Sequence, residues 1–186
     1  MASVGQARAT LQDLYQEPRK AELIGGRIVP LMATGLKPNR VAGRIYRSLD
    51  DHAERIREGV ACTDNMGFAV PELPSGRESF SPDAAYYRGK LPANLMRFIE
   101  GAPTLAVEVR SETGYTLAAE LDLAAKRADY FAAGTLVVWD VDPVAERITV
   151  YRAESPDRPT AYGRGEVAEA EPAVPGWRVT VDWIFN

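Results

Sequence analysis

The chain has 186 residues, 46% of them hydrophobic and 26% charged, a balance suited to one globular domain with a sizeable core. Its formal net charge is −4 and its pI is about 5.2, which counts against the strongly basic surface of a general nucleic-acid binder. One cysteine (Cys62) and one histidine (His52) exclude an intramolecular disulfide, a thiolate metal cluster and any site built from several imidazoles.

Chemistry must therefore run on carboxylates, lysine, arginine or hydroxyls. The N-terminal stretch has no apolar core of a signal peptide, and no segment approaches the length of a membrane span. The expectation is a soluble protein of the reducing cytoplasm. Residues 1–186 read as a single domain, its core starting near residue 21 after a short helix or flexible arm over 1–20.

In chain order, "YQEPRKAELIGGRIVPL" reads as a short helix and then a strand pair pivoting on Gly25–Gly26. "PNRVAGRIYRSLDDHAERIREG" is an amphipathic helix: Val41, Ile45, Leu49, His52 and Ile56 recur at helical spacing, and Gly59 closes it. "VACTDNMGFAV" and "SFSPDAAYY" read as strands around the turn-rich "PELPSGRE". "PANLMRFIEGAP" is a loop or short helical turn leading into the strand "TLAVEV". The alanine-rich "TLAAELDLAAKRADYFAAG" is a strong helix with Thr116 as N-cap and Gly134 at its end. "TLVVWDV" is a central strand, "DPVAER" a turn, "ITVYRA" its hairpin partner, and "PGWRVTVDWIF" a last strand or turn. Strands and helices mix without strict alternation, so the expected fold class is α/β, a mixed central sheet flanked by helices.

Two of these strands carry a carboxylate in the middle, Asp83 and Glu108. An ionised carboxylate buried without a partner costs several kcal/mol or more, so each must face something. Alternation turns Glu108 away from Val107 and Val109 and places Arg110 on its side. Two carboxylates on neighbouring strands repel unless a cation lies between them, and oxygen-only donors suit Mg²⁺ or Mn²⁺. On the following helix Ala119, Leu123, Lys126 and Tyr130 share one face, from which Lys126 can reach over the sheet.

"SPD", "EVRS", a helical lysine and "WDVDP" in this order resemble the PD-(D/E)XK restriction-endonuclease-like superfamily. The set is more closely similar to the Uma-two family of predicted bacterial endonucleases. That resemblance runs from "AELIGGRIV" through "EGAPTLAVEVRS" and "KRADYFAAG" to "PGWRVTVDWIF". It implies a restriction-endonuclease-like fold, a metal-dependent nuclease acting on nucleic acid, DNA in the first place, and a homodimer. It implies Asp83 and Glu108 as metal ligands and Lys126 as the family's lysine, moved from strand to helix. Glu22, Arg110, Ser111 and Tyr130 would support the site. Two positions depart from the pattern: Arg110 stands where strand-lysine relatives have their lysine, and "KPN" (Lys37–Asn39) where relatives often have histidine.

Each residue also has a plainer reading. Asp83 after Pro82 can cap a turn, Glu108 can close an ion pair with Arg110 or Lys126, and Lys126 can be a solvated helix residue. His52 reads as a satisfied core residue, and Trp139, Trp177 and Trp183 as core or interface. Arg40, Arg44 and Arg47 form a stripe that is either a solvated face or a contact to nucleic-acid phosphates. At the level of function the alternatives to a nuclease are a catalytically inactive binding or interaction module of the same fold, and a hydrolase of small phosphorylated substrates.

Overall fold

The computed structural model describes residues 7–186. A single helical turn, α1 (Leu11–Leu14), opens it, closed by a capping box in which Thr10 and Asp13 satisfy one another's backbone N–H. This turn lies before the Tyr15–Lys20 stretch expected to be helical, where Pro18 lacks an N–H and disfavours helix in the residue before it. Residues 1–6 of the expected arm lie outside those described.

Strands β1 (Ala21–Ile24) and β2 (Arg27–Pro30) form an antiparallel hairpin. Its two turn residues, Gly25 and Gly26, have φ of 58° and 68°, the left-handed pair that the tight hairpin turn demands. Helix α2 (Leu36–Ile56) buries Val41, Ile45, Leu49 and His52 on one side and ends in left-handed Arg57. The strand stretches that follow are broken by turns into β3 (Val60–Thr63), β4 (Phe68–Ala69), β5 (Ser79–Phe80), β6 (Ala84–Tyr87) and β7 (Ile99–Glu100).

Strand β8 (Leu105–Val109) leads to α3 (Leu117–Ala132), whose N-cap Thr116 accepts the Ala119 N–H. The chain returns through β9 (Val137–Asp142) and β10 (Arg147–Arg152). It finishes with β11 (Thr160–Tyr162), β12 (Val167–Glu169), β13 (Arg178–Thr180) and a helix, α4 (Val181–Phe185). The tail, expected as one strand or turn, thus adds a small hairpin and a terminal helix.

The main sheet runs β11-β10-β9-β8-β6-β3. Only β8 and β9 are parallel, and α3 connects them; every other neighbouring pair is antiparallel. This is the expected mixed sheet flanked by helices. One face, with Leu105, Val107, Ala84 and Tyr86, is covered by α2, α4 and the stacked pair Trp139–Trp177. The other, with Ala85, Ala106 and Val138, is covered by Tyr130 of α3 and by Phe68, Phe80 and Ile99 of the three-stranded sheet β5-β4-β7. Alternation decides where Glu108 goes: it follows Ala106 by two and leaves the sheet on the α3 face. Asp83 lies at the bend just before β6 and lines a small recess with Asn39 and Ala42 of α2 and with Val109.

Candidate active site

Ala84 pairs with Val107, and the Asp83 N–H donates to the Val107 carbonyl at 3.0 Å. The ladder ends there, and Asp83 stands at the bend just before β6, near enough for its charge to act on Glu108. Asp83 does not cap a turn; its Oδ2 accepts the Val109 N–H at 2.7 Å, across the strands.

Glu108 meets α3. Lys126 Nζ lies 2.9 Å from Glu108 Oε1, and the Tyr130 hydroxyl donates to the same oxygen at 2.6 Å. Lys126 is also 3.0 Å from Oε1 of Glu22, which accepts the Ser81 N–H at 2.9 Å. The other oxygen of Glu22 takes the Arg77 guanidinium, whose Nε donates to Asp129 Oδ2 at 2.9 Å. Lys126, Asp129 and Tyr130 sit at i, i+3 and i+4 and so share one helix face. Phe80 stacks on the Tyr130 ring at 4.2 Å, which sets that face against the sheet. On the far side of Asp83, Lys20 pairs with Asp64 and stands 3.7 Å from Asp83 Oδ1.

These contacts form two chains of alternating charge. One runs Asp129–Arg77–Glu22–Lys126–Glu108 and the other Asp64–Lys20–Asp83. Each is one negative charge in excess, and they end in two carboxylates whose charges act on one another. The proton affinities reflect this. Burial pushes Glu108 above the usual carboxylate range, and Asp83 and Glu22 add to it against the pull of Lys126. Burial also pushes Asp83 up, against the Val109 N–H and the two lysines. Glu22 goes the other way: burial raises it, but Lys126 and Arg77 outweigh that and leave it below its ordinary value. For Lys126, burial is outweighed by Glu108 and Glu22, so its ammonium is held more firmly than an ordinary lysine's.

A hard divalent cation fits what is left over. The Glu108 contacts fall on Oε1 and the Asp83 hydrogen bond falls on Oδ2, so each acid keeps an oxygen uncommitted by those bonds. One doubly charged ion between them would offset both excess charges. Among the described residues no three His, Cys, Asp or Glu side chains converge as a metal cage. A cation here would rest on two protein carboxylates and take its remaining ligands from water and substrate, the habit of Mg²⁺. Beside Glu108 opens a cavity of about 420 Å³, walled by Glu22, Arg77, Arg110, Ser111, Asp122 and Lys126 among others.

The remaining sequence-predicted residues divide. Ser111 reaches the cavity wall. Arg110 does too, but its guanidinium is taken up by Asp140, at 2.7 and 2.9 Å, and by Glu120. Its charge is already met by two carboxylates. The arginine stripe of α2 does not reach the cavity: Arg44 donates to the Ile184 carbonyl at 3.2 Å and Arg47 lies 4.9 Å over the Trp183 ring. Arg40 is exposed. His52 is a satisfied core residue, bonded to the Pro175 carbonyl and to Arg55. Sequence reasoning missed Lys20, Asp64, Arg77 and Asp129. Only Asp129, three residues beyond Lys126, carried a periodic signal.

Among the described residues no helix is long and apolar enough to cross a membrane. No curated protein matches the chain. A crystal structure of a putative nuclease belonging to DUF820 from Anabaena variabilis has the same fold, with a TM-score of 0.73 at 16% identity over 95% of this chain and 97% of that one. The profile of the Uma2 family, described as "putative restriction endonuclease", matches residues 8–182, and the chain belongs to that family.

Proposed function

We propose that this chain is a metal-dependent nuclease that hydrolyses phosphodiester bonds in nucleic acid, DNA first of all. The observation that carries the reading is the pair of ion-pair chains, each one charge in excess, ending at Asp83 and Glu108, whose charges act on one another. Asp83 and Glu108 are the residues that would hold Mg²⁺ or Mn²⁺. Such an ion, when bound, supplies charge that polarises a phosphate and makes water more acidic.

The chain's own residues do the rest. Lys126 is fixed between two carboxylates and keeps its proton throughout the neutral range, so it acts as a permanent cation and not as a base. Facing the cavity, it stabilises negative charge that builds on a phosphate oxygen during attack. Burial, with Glu108 and Glu22 beside it, holds the Tyr130 hydroxyl well above the usual tyrosine range, so it serves only as a donor that orients Glu108. Arg77 keeps Glu22 ionised, and Glu22 keeps Lys126 in place. Arg110, held by Asp140 and Glu120, anchors the end of β8 to β9 and α3.

Cutting both strands of a duplex takes two such sites, which a homodimer with C₂ symmetry supplies. Light scattering at micromolar concentration tests that arrangement, and a monomer there counts against it. A single free cysteine, the half-buried Cys62, is in keeping with a reducing cytoplasm. The functional test is cleavage of supercoiled plasmid and of labelled oligonucleotides with and without Mg²⁺ or Mn²⁺, beside Glu108→Gln. Cleavage that needs the metal and is lost in the variant supports the reading. A folded protein that binds nucleic acid but never cuts it returns the chain to an inactive binding module.

A further inference from the structure

Lys20 lies outside the metal-ligand and catalytic roles proposed above, yet the fold delivers it to Asp83. The Leu31 N–H donates to the Lys20 carbonyl at 2.8 Å, which extends the β1–β2 ladder one step beyond Ala21 and Pro30. Lys20 and Glu22 are therefore two apart on one extended strand, and their side chains leave it on the same side. Glu22 goes to Lys126 at the Glu108 end of the site, and Lys20 goes to the Asp83 end. Its ammonium is closely bound to Asp64 and only loosely placed on Asp83, at 3.7 Å. Asp64 and Asp83 line one small recess with Val109 and Asn39.

We infer that Lys20 is the resident counter-cation of Asp83, occupying the cation position on that side in the metal-free protein, tethered by Asp64, and withdrawing when a divalent ion arrives. The inference rests on the metal-binding reading above. A lysine suits this role, because one compact charge on a flexible four-carbon stem can retreat along Asp64 without dismantling a planar fork of hydrogen bonds. Without it, Asp64, Asp83 and Glu108 would crowd together with Lys126 as the nearest compensation. Asp64 has a definite part, too. By sharing the ammonium it keeps Lys20 from closing fully on Asp83, so it tunes metal affinity without being a ligand. Lys20 is then a positioning residue whose loss changes metal binding in a direction opposite to that of a lost ligand.

The experiment is calorimetric titration of Mn²⁺ into wild type, Asp83→Asn, Lys20→Met, Asp64→Asn and the Lys20→Met/Asp64→Asn double variant, each per folded molecule. Lys20→Met should bind Mn²⁺ about tenfold more tightly than wild type, the order expected when one unit charge leaves the neighbourhood of an ion in a partly wet site. Asp64→Asn, which releases Lys20 onto Asp83, should bind more weakly. The double variant should bind more tightly than wild type and less tightly than Lys20→Met, because the Asp64 charge also acts directly on the Asp83 side. A Lys20→Met variant no tighter than wild type overturns the inference. So does a double variant that returns to wild-type affinity, the result of simply adding charges, or one as weak as Asp64→Asn, which would make Asp64 a ligand. If wild type and Asp83→Asn bind Mn²⁺ equally, the metal-binding reading itself fails, whatever Lys20 does. If neither wild type nor Lys20→Met binds it, both fail.

Discussion

Replacing Asp83 by Asn changes one charge and almost nothing else. The amide oxygen can still accept the Val109 N–H that Oδ2 now takes at 2.7 Å, and Lys20 keeps its pairing with Asp64. What disappears is a partly buried negative charge near enough to Glu108 to raise it, beside the larger effect of burial. Two unit charges about 6 Å apart at an effective dielectric of about 20 repel by about 3 kcal/mol, an upper figure that the loss of the loose Lys20 contact reduces. A net gain of about 1 kcal/mol for the metal-free variant is the reasonable expectation, worth about 2–4 °C in a chain of this size.

The pH dependence follows from the direction of the shift. An acid whose folded pKa is raised takes up protons on folding, so wild-type stability falls as pH climbs from the ordinary Asp value through the raised one. The advantage of Asp83→Asn should be absent below the ordinary Asp range, open across that window and be complete at neutral pH. Thermal melts of the two proteins across pH, each with and without Mn²⁺, measure all of this. At a hundredfold excess of metal over its dissociation constant, wild type should gain about 2.7 kcal/mol, and Asp83→Asn should gain almost none. A variant that is less stable than wild type without metal at neutral pH, or that keeps the full metal response, refutes the reasoning.

Two further expectations rest on the same geometry. Arg77→Met leaves buried Glu22 and half-buried Asp129 without their shared cation and should cost about 3 kcal/mol in chemical denaturation, with a smaller cost at acid pH; an unchanged midpoint would remove Arg77 from the chain. Arg44→Ala with Arg47→Ala should lower stability by about 1–2 kcal/mol through lost contacts to α4 and leave the salt dependence of any nucleic-acid binding unaltered, whereas a flatter salt slope would restore the stripe as a phosphate contact.

The strand period made Glu108 conspicuous, because a carboxylate inside an otherwise apolar strand has to be accounted for, and the helical period put Lys126 and Tyr130 on a common face. Those local rules carried the class of the fold and brought the centre of the candidate site together. They could not carry its outer members. Arg77 stands in a Pro- and Gly-rich turn, and Lys20 and Asp64 in connecting stretches, where no period ties a side chain to a direction. The sheet brings them together from segments far apart in the sequence. The arginine stripe shows the converse difficulty: spacing at i, i+4 and i+7 is the same whether a helix meets solvent, phosphates or a neighbouring helix. Here α4, a short helix formed where a strand or turn was expected, supplies the partner. For α1 the Thr10–Asp13 capping box was a local signal, and Pro18 sets the limit of the turn.

Lys126 gives the most direct test of the nuclease reading, because its charge is committed to the site and to nothing else nearby. The measurement is the single-turnover rate of metal-dependent cleavage per folded molecule in Lys126→Met against wild type. If the ammonium stabilises charge that develops during hydrolysis, the rate should fall by roughly 10²-fold or more. Mn²⁺ affinity should not weaken, since both ligand carboxylates remain. If Lys126 only neutralises Glu108 and Glu22, its loss should lower the folded fraction and leave the rate per folded molecule as it was, and that result would contradict the account.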